Sequence, residues 1–185
     1  LSIPVGFTEE SWKVIQKKPL ARYCDFSAAN RVMWRFHGYD SGYWVFVDKE
    51  RGLLRPPDLL CEWRDLPDHF PRDFFLCGLF DPPHTWFSPN SKHTNPRVYN
   101  EDGRYMGMWW GDGGSRKKLV RDILVGQRAL AVVTPVLLMK WNETSISLES
   151  ILSVMTEWRE VRRFKVCSPY KRGRANTWWV KLVRK

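Results

Sequence analysis

Two rhythms of apolar residues alternate along this chain: a three-to-four-residue spacing typical of a helix packed on one face, and short alternating or continuous runs typical of strands. Thr8 to Lys18 has the first rhythm, with Thr8 as N-cap, Glu9 and Glu10 in the first turn, Lys17 and Lys18 in the last, and Pro19 closing it. Leu20 to Phe26 reads as a strand, followed by the small residues Ser27-Ala28-Ala29-Asn30 and a helical turn through Val32, Met33 and Phe36. Tyr43 to Val47 is aromatic and β-branched, hence a strand that ends at Asp48. Arg55-Pro56-Pro57-Asp58 is a loop and Leu59 to Trp63 a short edge-like strand, with Asp65 as a further strand-end acid before Leu66-Pro67. Phe74 to Phe80 is an apolar run that gives out at Asp81.

The second half continues the alternation. Ser115 to Val125 has helical spacing at Leu119, Ile123 and Leu124, and Ala129 to Thr134 reads as a buried strand, with Pro135 either interrupting it or starting the next segment. Leu148, Ile151, Leu152 and Met155 form an amphipathic helix spacing. The end reads as a hairpin, Val161 to Cys167 and Thr177 to Val183, around a turn at 170–174. Between Thr85 and Gly114 periodicity is lost and Pro, Asn, Gly, His and Trp intermix; a loop of this length is functional or mobile as a rule. Strands alternating with helices predict an α/β class, in one domain spanning 1–185.

Three predicted strands end in an acid, and ligands of open α/β sheets bind beyond the carboxyl ends of strands. Asp48, at the end of the second strand, is placed to bind ribose hydroxyls. At the end of the Phe74 to Phe80 run stands Asp81-Pro82-Pro83-His84. Two prolines hold the backbone extended and contribute carbonyls without N–H groups, so the Asp81 carboxylate and the Pro82 carbonyl form a pair of acceptors. Such a pair suits an exocyclic amino group, which offers two N–H donors and must be held still for transfer chemistry. The plain alternative is a polar turn that ends a strand.

Composition changes the picture in three ways. The 185 residues carry 30 Lys plus Arg and a net charge of +10, and 15% of them are aromatic, including 11 Trp, which together favour a polyanion with unpaired bases as partner. Most of the tryptophans are expected in the core. No apolar run approaches a membrane span, the first residues Leu1 to Val5 lack a signal peptide's features, and Cys24, Cys61, Cys77 and Cys167 stand singly. An intracellular protein of the cytoplasm or nucleus is expected, with neither zinc ribbon nor disulfide scaffold and no membrane partner. The sequon at Asn142-Glu143-Thr144 is then incidental.

The order of elements, the strand-end acids and the terminal hairpin resemble a class I S-adenosylmethionine-dependent methyltransferase. Asp81-Pro82-Pro83-His84 resembles the (Asp/Asn)-Pro-Pro-aromatic motif of the amino-methyltransferases that modify adenine at N6. The resemblance implies a Rossmann-like domain with a mostly parallel sheet and a C-terminal antiparallel hairpin. It implies S-adenosylmethionine as cofactor, held by Asp25, Phe26, Ser27, Ala28 and Asn30 in the first motif, with Asp48 on the ribose and Asp65 on the cofactor adenine. Asp81, Pro82, Pro83 and His84 would be the catalytic set, with His84 in the place of the ring that stacks on the target base. Ser27-Ala28-Ala29 stands where the family has a glycine-rich turn.

An RNA or DNA acceptor is implied, single-stranded or with the base flipped out. Its expected contacts are Trp86, Phe87, Lys92, Arg97, Arg104 and Trp109 in a substrate-side loop at 85–114, with Lys117, Lys171, Arg172 and Arg174 on phosphates. Three other readings stand beside this one. A catalytically inactive module or partner subunit would account for the missing glycines and for His84; a ribose 2′-O methyltransferase would use Lys140, placed after the fifth strand, with an acidic partner; a metal-dependent nuclease would gather Asp48, Glu62 and Asp65. A lysine side chain is a further acceptor among relatives with a similar motif.

Overall fold

The computed structural model describes residues 2–27, 42–49, 56–82, 115–143, 146–166 and 176–185. They build an α/β fold around one seven-stranded mixed sheet, mostly parallel with a C-terminal antiparallel pair. The strands are β1 (Tyr23–Asp25), β2 (Trp44–Asp48), β3 (Leu59–Leu60), β4 (Cys77–Phe80), β5 (Val136–Asn142), β6 (Trp158–Val166) and β7 (Thr177–Arg184), in the order β3-β2-β1-β4-β5-β7-β6. The first five are parallel to their neighbours, and β7 runs antiparallel to both β5 and β6.

The first helix, α1 (Glu9–Lys17), forms where the sequence places it. Thr8 accepts from the Ser11 backbone N–H while Ser11 answers the Thr8 N–H, a reciprocal cap that satisfies two orphan donors. Val14 and Ile15 go into the core, and Lys18 ends the helix by donating to the carbonyls of Val14 and Ile15. The Lys18 ammonium then reaches Asp58 at 2.6 Å, and the same carboxylate oxygen accepts the Phe46 N–H, so one ion pair fixes α1 to β2 and the start of β3.

Two strand expectations are corrected. Ala129 to Val133 is not a strand: it is the last part of α3 (Arg116–Val133), and the strand begins after Pro135. A run of Ala, Leu and Val suits a buried helix as well as a strand, and here Leu119, Ile123, Leu130 and Val133 continue one helical stripe across the boundary. Asp65 is not at a strand end either. The strand stops at Leu60, and Trp63–Asp65 form a single 3-10 turn that leads into α2 (Leu66–His69), leaving Asp65 exposed.

The core lies between the sheet and its helices. On one face of β5, Leu137, Met139 and Trp141 are fully buried, and Val180 and Leu182 of β7 pair with Met139 and Leu137 in the same cluster. Ile123 and Leu130 of α3 and Leu148 and Ile151 of α4 (Leu148–Leu152) join them. The buried Gln127 closes this layer: its side chain donates to Thr156 and accepts from the Glu157 N–H, while its carbonyl accepts the Trp158 indole.

Arg184 near the end of β7 makes a two-pronged ion pair with Asp73, at 2.6 and 3.1 Å, and donates also to the Ala131 carbonyl. Hydrogen bonding from Arg184 holds the Asp73 carboxyl below its ordinary value of 3.8. The stabilisation is therefore complete above that value and is lost as pH falls through the depressed one. With 42% of the Asp73 side chain exposed, solvent screening keeps the gain below about 1 kcal/mol. Asp73→Asn is expected to lower the urea midpoint slightly at pH 7, with the gap from the parent closing as the pH is taken below about 4.

Candidate functional site

The chain runs outward through β1, β2 and β3 in one direction along the sheet and through β4 and β5 in the other. Its order reverses between β1 and β4, and a crevice for ligands opens at such a reversal, beyond the carboxyl ends of the two strands. Asp25 is the last residue of β1, Asp48 the last of β2, and Asp81 follows the last of β4. Three of the predicted acids thus sit on one rim of the sheet.

The ends of β1 and β4 are clasped together. The Phe26 N–H donates to the Leu79 carbonyl at 3.0 Å, and the Ser27 hydroxyl accepts the Asp81 N–H at 2.8 Å. Asp25, fully buried, accepts the Ser27 N–H at 3.1 Å and so fixes the turn that presents the hydroxyl. Ser27, the residue in the place of the first family glycine, therefore spends its side chain on β4. Phe26 covers this joint from inside, 3% exposed, and Gly78 of β4 is what makes room for its ring.

At Asp81 the two carboxylate oxygens have different fates. Oδ2 takes the Lys140 ammonium at 2.5 Å, in a pair 18% exposed on the acid and 27% on the lysine. Oδ1 is buried and has no hydrogen-bond partner. An unmatched buried acceptor costs about 1 to 3 kcal/mol, a cost that a bound donor would remove. Lys140 lies within β5 rather than after it, one residue beyond the Phe80–Met139 pair, which is how it reaches Asp81. A cation flanked by Met139 and Trp141 inside an apolar strand is the sequence signal for this contact; its partner, 59 positions away, had none.

Around β2 and β3 the rim is acidic. Asp48 is 5% exposed and its carbonyl accepts the Cys61 N–H. Burial first, and then the negative charges of Asp65, Asp48 and Glu62, push the Cys61 thiol up to about 12. Glu62 is taken up by Arg64 at 2.5 Å and Lys49 at 3.9 Å, and among the described residues no three His, Cys, Asp or Glu side chains converge as a metal site. An acceptor-rich rim of this kind matches a ligand that presents hydroxyl donors.

Trp63 connects the rim to α3: its ring lies 4.7 Å from Phe80, and its other side faces Gly126. Lys117 is exposed in the first turn of α3 between Arg116 and Lys118, and Lys118 is paired with Asp122. Cations at a helix N-terminus oppose the helix dipole, and of these three only Lys118 is offset by a pair within α3, to Asp122 one turn on. Pro82 is described and buried. Ala28, Asn30, Pro83, His84, Trp86, Phe87, Lys92, Arg97, Arg104, Trp109, Lys171, Arg172 and Arg174 lie outside the described residues.

No family model matches this chain, and no curated protein matches it. Among the described residues, no helix is long and apolar enough to cross a membrane.

Proposed function

We propose that the chain is an S-adenosylmethionine-dependent methyltransferase acting on an adenine amino group in RNA or DNA. The observation that carries the reading is the buried, unpartnered Oδ1 of Asp81 at the carboxyl end of β4, beside the point where the strand order reverses. The mostly parallel sheet closed by an antiparallel pair agrees with the fold that the resemblance implies.

The rim residues suit the cofactor that such a fold holds. Asp48 offers a carboxylate for ribose hydroxyls, and the Asp25–Ser27 turn directs the Ser27 hydroxyl toward β4. When bound, the cofactor supplies an electrophilic methyl group. Asp81 would then accept one amino N–H through Oδ1 and the Pro82 carbonyl the other, so that the nitrogen is oriented and its lone pair is drawn out of conjugation with the ring. Lys140 fixes Oδ2 and thereby the direction of Oδ1. No strong base would be needed: the amino proton becomes acidic only as the N–C bond forms and the methyl–sulfur bond breaks, and Asp81 Oδ1, already its acceptor, would take it.

The Lys140–Asp81 pair is the one observation in favour of ribose 2′-O transfer, which uses a lysine and an acid. Here the lysine donates to the carboxylate and has no lone pair free to take a hydroxyl proton, which is why the amino reading is preferred. Nucleoside mass spectrometry of methylated nucleic acid separates the two: N6-methyladenosine or its deoxy form supports the proposal, and a 2′-O-methyl nucleoside replaces it.

Calorimetric titration tests the cofactor step. The protein is expected to bind S-adenosylmethionine and S-adenosylhomocysteine, and Asp48→Ala to weaken both by at least about tenfold, the loss of one or two hydrogen bonds to a charged acceptor. Absence of heat with the parent protein would move the weight to a catalytically inactive module.

A further inference from the structure

The two faces of the sheet at its C-terminal side are covered unequally. One face of β5 and β7 carries the fully buried Leu137, Met139, Trp141, Val180 and Leu182. Residues paired across β6, β7 and β5 share a face, and the pairs on the opposite one are all half-buried or exposed. Phe164, Trp179 and Lys140 form one row across three strands; Arg162, Lys181 and Leu138 form the next. The first row runs on to Asp81 through the Lys140 ion pair.

We propose that this open face docks single-stranded nucleic acid, with bases on Phe164 and Trp179 and phosphates on Arg162 and Lys181, along a row that leads to Asp81. The inference deepens the proposed function by naming the surface that holds its substrate, and it rests on that reading for the choice of nucleic acid. Three observations support the occupant. The charges of the two rows are cationic apart from Asp81, which Lys140 already holds. Arg162 and Lys181 are exposed and form no ion pair among the described residues, whereas the acids nearby, Glu160 and Glu149, are bound to Arg163 on the other side of β6. Phe164, 57% exposed in an edge strand, offers an aromatic face to solvent beside them.

Protection of an edge strand against aggregation also uses cations. It explains neither an exposed phenylalanine on the edge nor the continuation of positive charge into the interior strands β7 and β5. A second copy of the chain is a poor occupant, since a twofold contact through this face would set cations against cations. Strands are about 4.8 Å apart, so Phe164 lies roughly 14 Å from Asp81, three interstrand steps along the row.

Fluorescence anisotropy with a labelled oligothymidylate of about 12 nucleotides tests the surface apart from the chemistry, because the probe has no adenine and no cofactor is added. Phe164→Ala, at an exposed position, is expected to weaken binding about tenfold with an unchanged thermal midpoint. The double variant Arg162→Gln with Lys181→Gln should reduce the slope of log affinity against log salt by about 1.4, two phosphate contacts on a single strand. Parent-like affinity and salt slope in these variants would overturn the proposal, as would a dimer in sedimentation that Phe164→Ala dissociates. A chain that binds the oligonucleotide through this face but takes no S-adenosylmethionine would retain the docking surface and lose the methyltransferase reading, so the two fail separately.

Discussion

Asp81→Ala is expected to bind S-adenosylmethionine within a few fold of the parent and to lose methyl transfer by at least about 10²-fold, the scale on which a misplaced reacting group costs rate. Asp81 follows β4, whereas Asp48, the acid that the proposal gives to the ribose, ends β2, so under that proposal cofactor affinity and acceptor alignment are separable. A large loss of cofactor binding would contradict the assigned role. Lys140 makes the prediction sharper. Asp81→Asn leaves a single amide oxygen for which the Lys140 ammonium and the acceptor amino group compete, and it turns its NH2 toward one of two donors. Replacing the lysine as well, by Lys140→Met, frees that oxygen for the substrate. The double variant is therefore expected to be more active than Asp81→Asn alone, although Lys140→Met by itself lowers kcat. Radiolabel transfer to nucleic acid at saturating cofactor measures all four proteins, and additive losses would sink the idea that Lys140 aims the carboxylate.

Gly78→Ala is the second large effect. A Cβ at this position would stand 1.9 Å from Cε2 of Phe26 and 2.7 Å from Cζ, well inside contact distance, and the ring is 3% exposed with Phe75 packed edge-on at 6.0 Å. Overpacking of a dense core costs about 1 to 3 kcal/mol and occasionally more, and the upper end is expected because the clash is deep and the ring is buried. Phe26 also sits between Asp25 and Ser27, so moving it pulls the Ser27 hydroxyl from the Asp81 N–H. Urea denaturation should show a lowered midpoint with an unchanged slope. Phe26→Leu in the same chain should recover part of the loss, and a double variant as unstable as the sum of the singles would point to a cause other than this contact.

Much of the fold was legible because local chemistry and tertiary position agree. Thr8, the two following glutamates and Pro19 mark α1 at both ends, and the aromatic β-branched run before Asp48 leaves little but a strand. The boundary at Ala129 was illegible for a definite reason. A short run of Ala, Leu and Val with almost every residue buried reads equally as strand or helix, and Pro135, which the sequence lets either interrupt a strand or start the next segment, was the one mark between them. Leu59 to Trp63 likewise shortened to Leu59–Leu60, since Trp63 is needed as the wedge between Phe80 and Gly126 and cannot stay in the sheet. At the site, Asp48 and Asp81 could be read as strand-end acids because they follow apolar runs, whereas Asp25 was placed inside its strand and entered only through the family resemblance. The clasp between Ser27 and Asp81 and the pairing of Asp81 with Lys140 join residues 54 and 59 positions apart, and pair distances of that kind leave no trace in one sequence.

The position of β7 bears on how the molecule comes together. β7 lies between β5 and β6, so among the described residues β6 joins the sheet only through residues 177–184. Until these pair, β5 ends the sheet with the apolar edge Val136-Leu137-Leu138-Met139 unpaired, the kind of edge on which chains aggregate. Closing this edge depends on a pairing between strands far apart in sequence, β5 with β7, a contact of the kind that slows refolding and exposes it to aggregation.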